Sequence, residues 1–248
     1  MAKRNNKSSS FLTVTVLVIL VGAAAYYLWR QYTIYTSHGF KHELLVNKPA
    51  HFNSYGLDIS HHQGAIDWDK IFIQNELDSI IDFVYIKVSE GINHSDKKWE
   101  INRTELKKYG KKSGAYHFFL PKKDALLQAT NFIKHYRYQA GDLPPVIDVE
   151  HEGFSNNDLI SNMLIWMNFV EKATGQRPII YTSLHFYETK FKTFFKNEKF
   201  WIASYSRMPN LENNSNIVIW QYSEKGKFEG INEYVDLNVG IRDFDLRY

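Results

Sequence analysis

The chain has no cysteine among its 248 residues, so disulfides and thiolate metal sites are excluded and the redox compartment leaves no mark. It also lacks a strong charge imbalance. A formal net charge of +3, with lysines spread along the chain rather than gathered in one run, argues against a nucleic-acid partner. Between residues 11 and 29 charge is absent altogether. Aromatic residues, by contrast, are plentiful: 16 Tyr, 17 Phe and 6 Trp make up 16% of the sequence. That is more than packing ordinarily needs, so some rings are expected to line a groove for a planar-faced ligand such as a carbohydrate, the rest being core.

Lys3, Arg4 and Lys7 precede the uncharged run of nineteen residues, and Arg30 closes it. Such a run is long enough to span a bilayer, with its basic end on the cytoplasmic side. Ala23, Ala24 and Ala25 offer a signal-peptide cleavage point. The continuation through Tyr26, Tyr27, Leu28 and Trp29, an aromatic cluster of interfacial type, favours an uncleaved anchor. No cysteine follows the run, which excludes a lipoprotein. The expected division is residues 1–30 as membrane anchor or uncleaved signal segment, 31–53 as a polar tether, and 54–248 as a single globular domain on the extracytoplasmic side, in the periplasm or at the cell surface.

From Tyr55 onward short β-rich runs alternate with helical patterns. Strands are expected at 55–60, 83–89, 114–119, 145–150, 178–183, 200–205, 217–223 and 235–239, and helices around 68–77, 97–109, 125–138 and 159–173. Gly110, Gly141 and Gly175 fall where helices should stop. Eight strands suggest a closed α/β barrel. Strand starts are spaced by about thirty residues up to the fifth and by roughly twenty after it, too few for a full crossover helix each time. The expected architecture is an irregular TIM-type barrel of five β/α units followed by three strands, with a last helix possible only within 185–197.

One stretch concentrates chemistry. In L-P-P-V-I-D-V-E, residues 143–150, two prolines keep a helix out and a β-branched run ends in Asp148 and Glu150, two positions apart. Side chains alternate along a strand, so both acids are expected on one face, with Val149 on the other. Like charges this close raise the proton affinity of at least one of them. In a barrel the functional groups gather at the C-terminal ends of strands. Those ends carry Asp58, Lys87 to Glu90, Tyr116 to Phe118, Asp148 with Glu150, Tyr181, Tyr205, Trp220 with Gln221, and Asp236. Acids and rings converging on one mouth suit a polar, ring-shaped substrate and acid catalysis.

The stretches YGLDISHHQGAIDW, FVYIKVSEG, GAYHFF, PPVIDVE, IIYTS, FWIASY, IWQYS and VDLNV resemble, in order, the motifs of glycoside hydrolase family 25, the lysozyme or N-acetylmuramidase family. The resemblance runs from Tyr55 to about Val239 and implies an irregular barrel of five β/α units and three further strands. It implies hydrolysis of the β-1,4 bond between N-acetylmuramic acid and N-acetylglucosamine in the glycan strands of peptidoglycan. Carried over by position, Glu150 is the proton donor. Asp148 is its partner, either the nucleophile or the group that orients the substrate's 2-acetamido group, and both routes retain configuration. Asp58 and Asp236 are the other two acids of the site. Tyr116, Tyr181, Tyr205, Trp220, Gln221, Lys87 and Glu90 are expected to contact substrate. No cofactor or metal is needed, and a monomer is expected.

Other features carry plainer readings. His61 and His62 are read as neighbours on an extended segment, pointing apart, with no ligand spacing to support a metal. His151 and Glu152 are read as a solvated loop, Asn102-Arg103-Thr104 as helix surface, and Lys107, Lys108, Lys111 and Lys112 as a solvated helix end. Two rivals to the muramidase remain. A chitinase-like hydrolase of another N-acetylated glycan would show more acids alternating into the D-x-E, where this chain has Pro145, Val146 and Ile147. A non-catalytic peptidoglycan-binding module would show a replaced Asp148 or Glu150, and both acids are present.

Overall fold

The computed structural model describes residues 14–32, 49, 52, 54–74 and 80–241, and the chain divides into two compact units, residues 1–48 and 49–248. In the first, helix α1 spans Val14–Tyr32, 19 residues of mean hydropathy 1.4, long and apolar enough to cross a membrane. Lys3, Arg4 and Lys7 lie outside the described residues, as does the expected tether apart from Gln31, Tyr32, Pro49 and Phe52.

The second unit is built on nine strands: β1 Ser54–Ile59, β2 Phe83–Glu90, β3 His94–Ser95, β4 Lys112–Phe118, β5 Val146–Asp148, β6 Ile179–Ser183, β7 Phe200–Ala203, β8 Ile217–Gly226 and β9 Val235–Gly240. All eight expected strands form. Their order, β1-β9-β8-β7-β6-β5-β4-β2, closes on itself through a β1–β2 pairing, and the two-residue β3 is a flap on β2. Helices α2 Trp99–Lys108, α3 Ala125–His135 and α4 Asn156–Thr174 follow β2, β4 and β5. Shorter helical turns follow β1, at Lys70–Gln74, and β6, where α5 Leu184–Phe186 runs on into a π-turn at Tyr187–Phe191. These are the five β/α units. Of the helix expected at 68–77, residues 68–74 are helical and 75–77 lie outside the described residues, whereas that at 185–197 ends near Phe191. Helix α4 is bounded by its own sequence: Ser155 caps its first turn by accepting from the Asp158 N–H at 3.1 Å, and Gly175, at φ 73°, turns the chain out.

Pairings from β1 through β2 and around to β8 are parallel, whereas β9 runs antiparallel to both β8 and β1. This corrects one expectation. Asp236 is the second residue of β9, at its N-terminal end, and it reaches the mouth because that strand is reversed.

Inside the barrel, Phe83, Tyr85, Val146, Ile179, Tyr181, Trp201 and Ile219 pack as one cluster. Glycine makes room for one of these rings: Gly114 pairs with Tyr85, and a Cβ there would overlap the Tyr85 ring. Much of the aromatic excess is therefore barrel filling. Alternation sends Tyr116 inward and His117 outward, where His117 stacks on Trp166 of α4 at 5.5 Å. Its imidazole is pushed down to about 3 by burial, so it is neutral packing material.

Candidate active site

The C-terminal ends of the parallel strands surround a cavity of about 230 Å³. Asp58, Lys87, Tyr116, Asp148, Glu150, Tyr181 and Asp236 all line it. Strand β5 ends at Asp148, one turn of the pleat short of the expected end, yet the chain beyond stays extended. The Val149 N–H donates to the Tyr181 carbonyl at 2.9 Å and the Thr182 hydroxyl to the Val149 carbonyl at 2.7 Å. Val149 is thereby held in the core, and both carboxyls face the cavity.

The two acids differ in setting. Asp148 is buried, while Glu150 is exposed. Burial first, and the Glu150 charge second, raise the Asp148 carboxyl well above the usual carboxylate range, while Lys87 pulls against them. Its Oδ1 is buried with no hydrogen-bond partner among the described residues. Lys87 itself is buried, bonded to Glu90 Oε2 at 2.7 Å and standing 4.9 Å over the Phe118 ring. Against the desolvation that would raise it, that bond and charge hold the Glu90 carboxyl below its ordinary value.

Asp58 and Asp236 face each other directly across the β1–β9 pair. Asp58 Oδ2 accepts from Gln221 Nε2 at 2.9 Å and from Asn238 Nδ2 at 2.7 Å. Burial, then the charge of Asp58 and a hydrogen bond to it, push Asp236 up to about 9. Gln221 Oε1 in turn accepts from the Tyr181 hydroxyl at 2.9 Å and the Tyr205 hydroxyl at 2.7 Å. Desolvation and the surrounding acids raise the phenols of Tyr116, Tyr181 and Tyr205, so all three are neutral donors.

A second cavity of about 560 Å³ adjoins the first and shares Glu150 and Tyr181 with it. Tyr205, half exposed, lies on its wall with Ser183, His185 and Arg207. Glu150 thus stands where the two spaces meet.

Three expected substrate contacts sit elsewhere. Trp220 is on the outward face of β8: its ring meets Phe52 and Tyr222 edge-on, and its Nε1 donates to the Ser204 carbonyl at 2.8 Å. Gln221, its neighbour, points inward but is covered by the tyrosines it binds. Glu90 is the counter-ion of Lys87 and does not line the cavity. The histidine pair also departs from expectation. Ser60 caps a 3-10 turn at His61–Gln63, so the two rings lie together, centroids 4.1 Å apart and tilted by 35°, instead of pointing apart. The buried Asp96 carboxylate fixes that turn, accepting from the His61 backbone at 2.8 Å and meeting its Nδ1 at 2.9 Å. His62 and Gln63 line the cavity. Among the described residues no group of three or more His, Cys, Asp or Glu is placed to hold a metal ion.

Sequence reasoning missed Trp201 and Asn238. Trp201 forms part of the cavity floor, and its Nε1 donates to Asn238 Oδ1 at 2.8 Å. Asn238 was open to the same reading as the D-x-E, because it lies two residues beyond Asp236 on one face of β9.

Residues 57–231 match the model of the glycosyl hydrolases family 25. The chain is 34% identical over 199 residues to the uncharacterized protein YegX of Escherichia coli strain K12, covering 78% of this chain and 72% of that protein. It is 29% identical over 203 residues to lysozyme M1 of Streptomyces globisporus, covering 74% and 66%. A family 25 glycosyl hydrolase from Bacillus anthracis superposes with a TM-score of 0.70 at 30% identity, over 79% of this chain and 93% of that one.

Proposed function

We propose that this chain, which belongs to the glycosyl hydrolases family 25 and is a glycoside hydrolase of the muramidase type acting on peptidoglycan, is a retaining enzyme in which Glu150 donates the proton and Asp148 assists. The observation that carries the reading is that both carboxyls of the D-x-E face one cavity, with Glu150 at its junction with a second. A glycan strand lying across that junction places its scissile oxygen beside Glu150 and one sugar in the smaller cavity.

In the free protein burial draws a proton to Asp148. A bound sugar covers Glu150, takes away its water, and shifts the proton toward it. The Lys87 ammonium favours the charge then left on Asp148. Glu150 protonates the glycosidic oxygen as the C–O bond breaks. Asp148 either attacks the anomeric carbon or accepts from the acetamido N–H while the acetamido oxygen attacks. Water then opens the intermediate, returning a proton to Glu150. The unpartnered Asp148 Oδ1 supports the acetamido role, since a buried acceptor left unsatisfied costs about 1–3 kcal/mol that a substrate N–H relieves.

Incubating the full chain, in mild detergent, with intact sacculi tests the substrate: new reducing ends are expected on N-acetylmuramic acid. Reducing N-acetylglucosamine ends, or none, would sink the assignment. Stereochemistry tests the mechanism. Inversion needs acid and base about 6.5–9.5 Å apart with a water between them, whereas retention works at about 5–5.5 Å or through the acetamido group. Same-facing residues two apart on an extended chain have Cβ atoms roughly 6.5–7 Å apart and side chains free to lean together. The first product anomer seen by proton NMR should be β, and α would overturn retention.

Helix α1 is read as an uncleaved anchor, holding the catalytic domain on the extracytoplasmic side where peptidoglycan lies. The protein is expected in the membrane fraction with its N-terminal segment intact. A soluble exported form beginning near Tyr26 would make the segment a cleaved signal instead.

A further inference from the structure

Two amides below the mouth settle an ambiguity that four acids in one cavity create, namely which member of the Asp58–Asp236 pair carries the charge. The key is the indole of Trp201, which can donate a hydrogen bond and cannot accept one. It donates to Asn238 Oδ1 at 2.8 Å, so the Asn238 amide has one orientation, with its NH₂ toward Asp58 Oδ2 at 2.7 Å. Gln221 bonds the same Asp58 oxygen through its NH₂ at 2.9 Å, with both tyrosine hydroxyls on its Oε1. A single carboxylate oxygen thus receives two donors, one of them fixed by the indole. Such an oxygen is matched to negative charge, and hydrogen bonds to the charged form favour it. Asp236, opposite on β9, is left as the member that holds a proton and gives it in a hydrogen bond.

We propose that Gln221 and Asn238 act as positioning residues, an amide clamp that keeps the negative charge of the pair on Asp58 and its proton on Asp236. The clamp has a consequence for the rest of the site. Asp148 at the end of β5, Glu150 just past it, Tyr116 on β4 and Tyr181 on β6 face Asp58 across the mouth, with Tyr205 beyond β7. Lys87 on β2 acts on Asp148, and Glu224 on β8 acts on Asp236. Burial raises the Asp58 carboxyl while the two amides pull it back down, and its charge is in turn one of the causes raising the Asp148 carboxyl. The clamp therefore helps to set the proton affinity of Asp148, without touching substrate.

The proton's location can be read without any enzymatic assay, which separates this proposal from the muramidase reading it extends. In the full chain carrying ¹³C-labelled aspartate, the carboxyl signal missing from Asp236→Asn should be that of a protonated acid at pH 7. The signal missing from Asp58→Asn should be that of a carboxylate. In Asn238→Leu, which removes one donor, the Asp236 signal should move toward the carboxylate position at pH 7. A wild-type Asp236 already ionised at pH 7, or one unmoved in folded Asn238→Leu, would overturn the clamp; the wild-type spectrum decides even if that variant does not fold. On sacculi, an asparagine amide can imitate a protonated Asp236 and cannot imitate an ionised Asp58. Asp236→Asn should therefore lose less in kcat than Asp58→Asn. Equal losses, or the reverse order, refute the assignment.

Discussion

Glu150→Gln is expected to lower kcat on peptidoglycan by on the order of a hundredfold to ten-thousandfold, the range that a positioned proton donor contributes. The amide keeps the size and most of the hydrogen-bonding shape of the acid but has no proton to give. Because Glu150 is exposed and lies past the end of β5, its replacement removes no core contact, and the thermal unfolding midpoint should stay close to that of the wild type. Substrate affinity should change little by comparison, since the lost interaction belongs to the transition state. A folded Glu150→Gln that turns over at a near-normal rate would reassign the donor. Asp148 would then be the next candidate, as a carboxyl whose proton affinity burial raises.

The second large effect is on stability. Trp201 is 1% exposed, its ring centroid lies 4.9 Å from those of both Tyr85 and Tyr181, and its Nε1 is hydrogen-bonded to Asn238. Trp201→Ala empties the centre of the barrel beneath the mouth. Removing a buried tryptophan side chain costs about 3–5 kcal/mol, lost burial and residual cavity together. In a domain of this size each kcal/mol moves Tm by about 2–4 °C, so a fall of roughly 6–20 °C is expected by calorimetry or circular dichroism. Below 1 kcal/mol, the floor of the mouth would have to be far looser than these ring contacts imply. Activity should fall as well, because Asn238 loses the donor that orients its amide toward Asp58.

Much of this was legible before any coordinates. The alternation of β-rich and helical runs marks all eight barrel strands, and shortening intervals after the fifth mark where crossover helices give out. Period-two patterning places Asp148 and Glu150 on one cavity although the regular strand stops between them. The same rule applied to V-D-L-N-V would have found Asn238. The wrong expectations share a cause. Trp220 and Gln221 are adjacent, so one of them had to face away from the barrel axis, and nothing in I-W-Q-Y-S says which. His61 and His62 follow a residue able to cap a turn, and the cap converts an extended pair into one whose rings touch.

Local periodicities, the positions of the acids along the chain and an apolar N-terminal segment long enough for a bilayer follow from residue order alone, because each depends only on neighbours a few residues apart. Which way β9 runs, which tryptophan floors the cavity and which carboxyl is buried were decided by the closing of the barrel. Closure pairs Asp58 with Asp236 from opposite ends of the domain, covers Asp148 while leaving Glu150 in water, and aims two amides at one oxygen. Desolvation and hydrogen-bond direction are properties of the assembled surroundings of a group, and those surroundings come from segments as many as 180 residues apart.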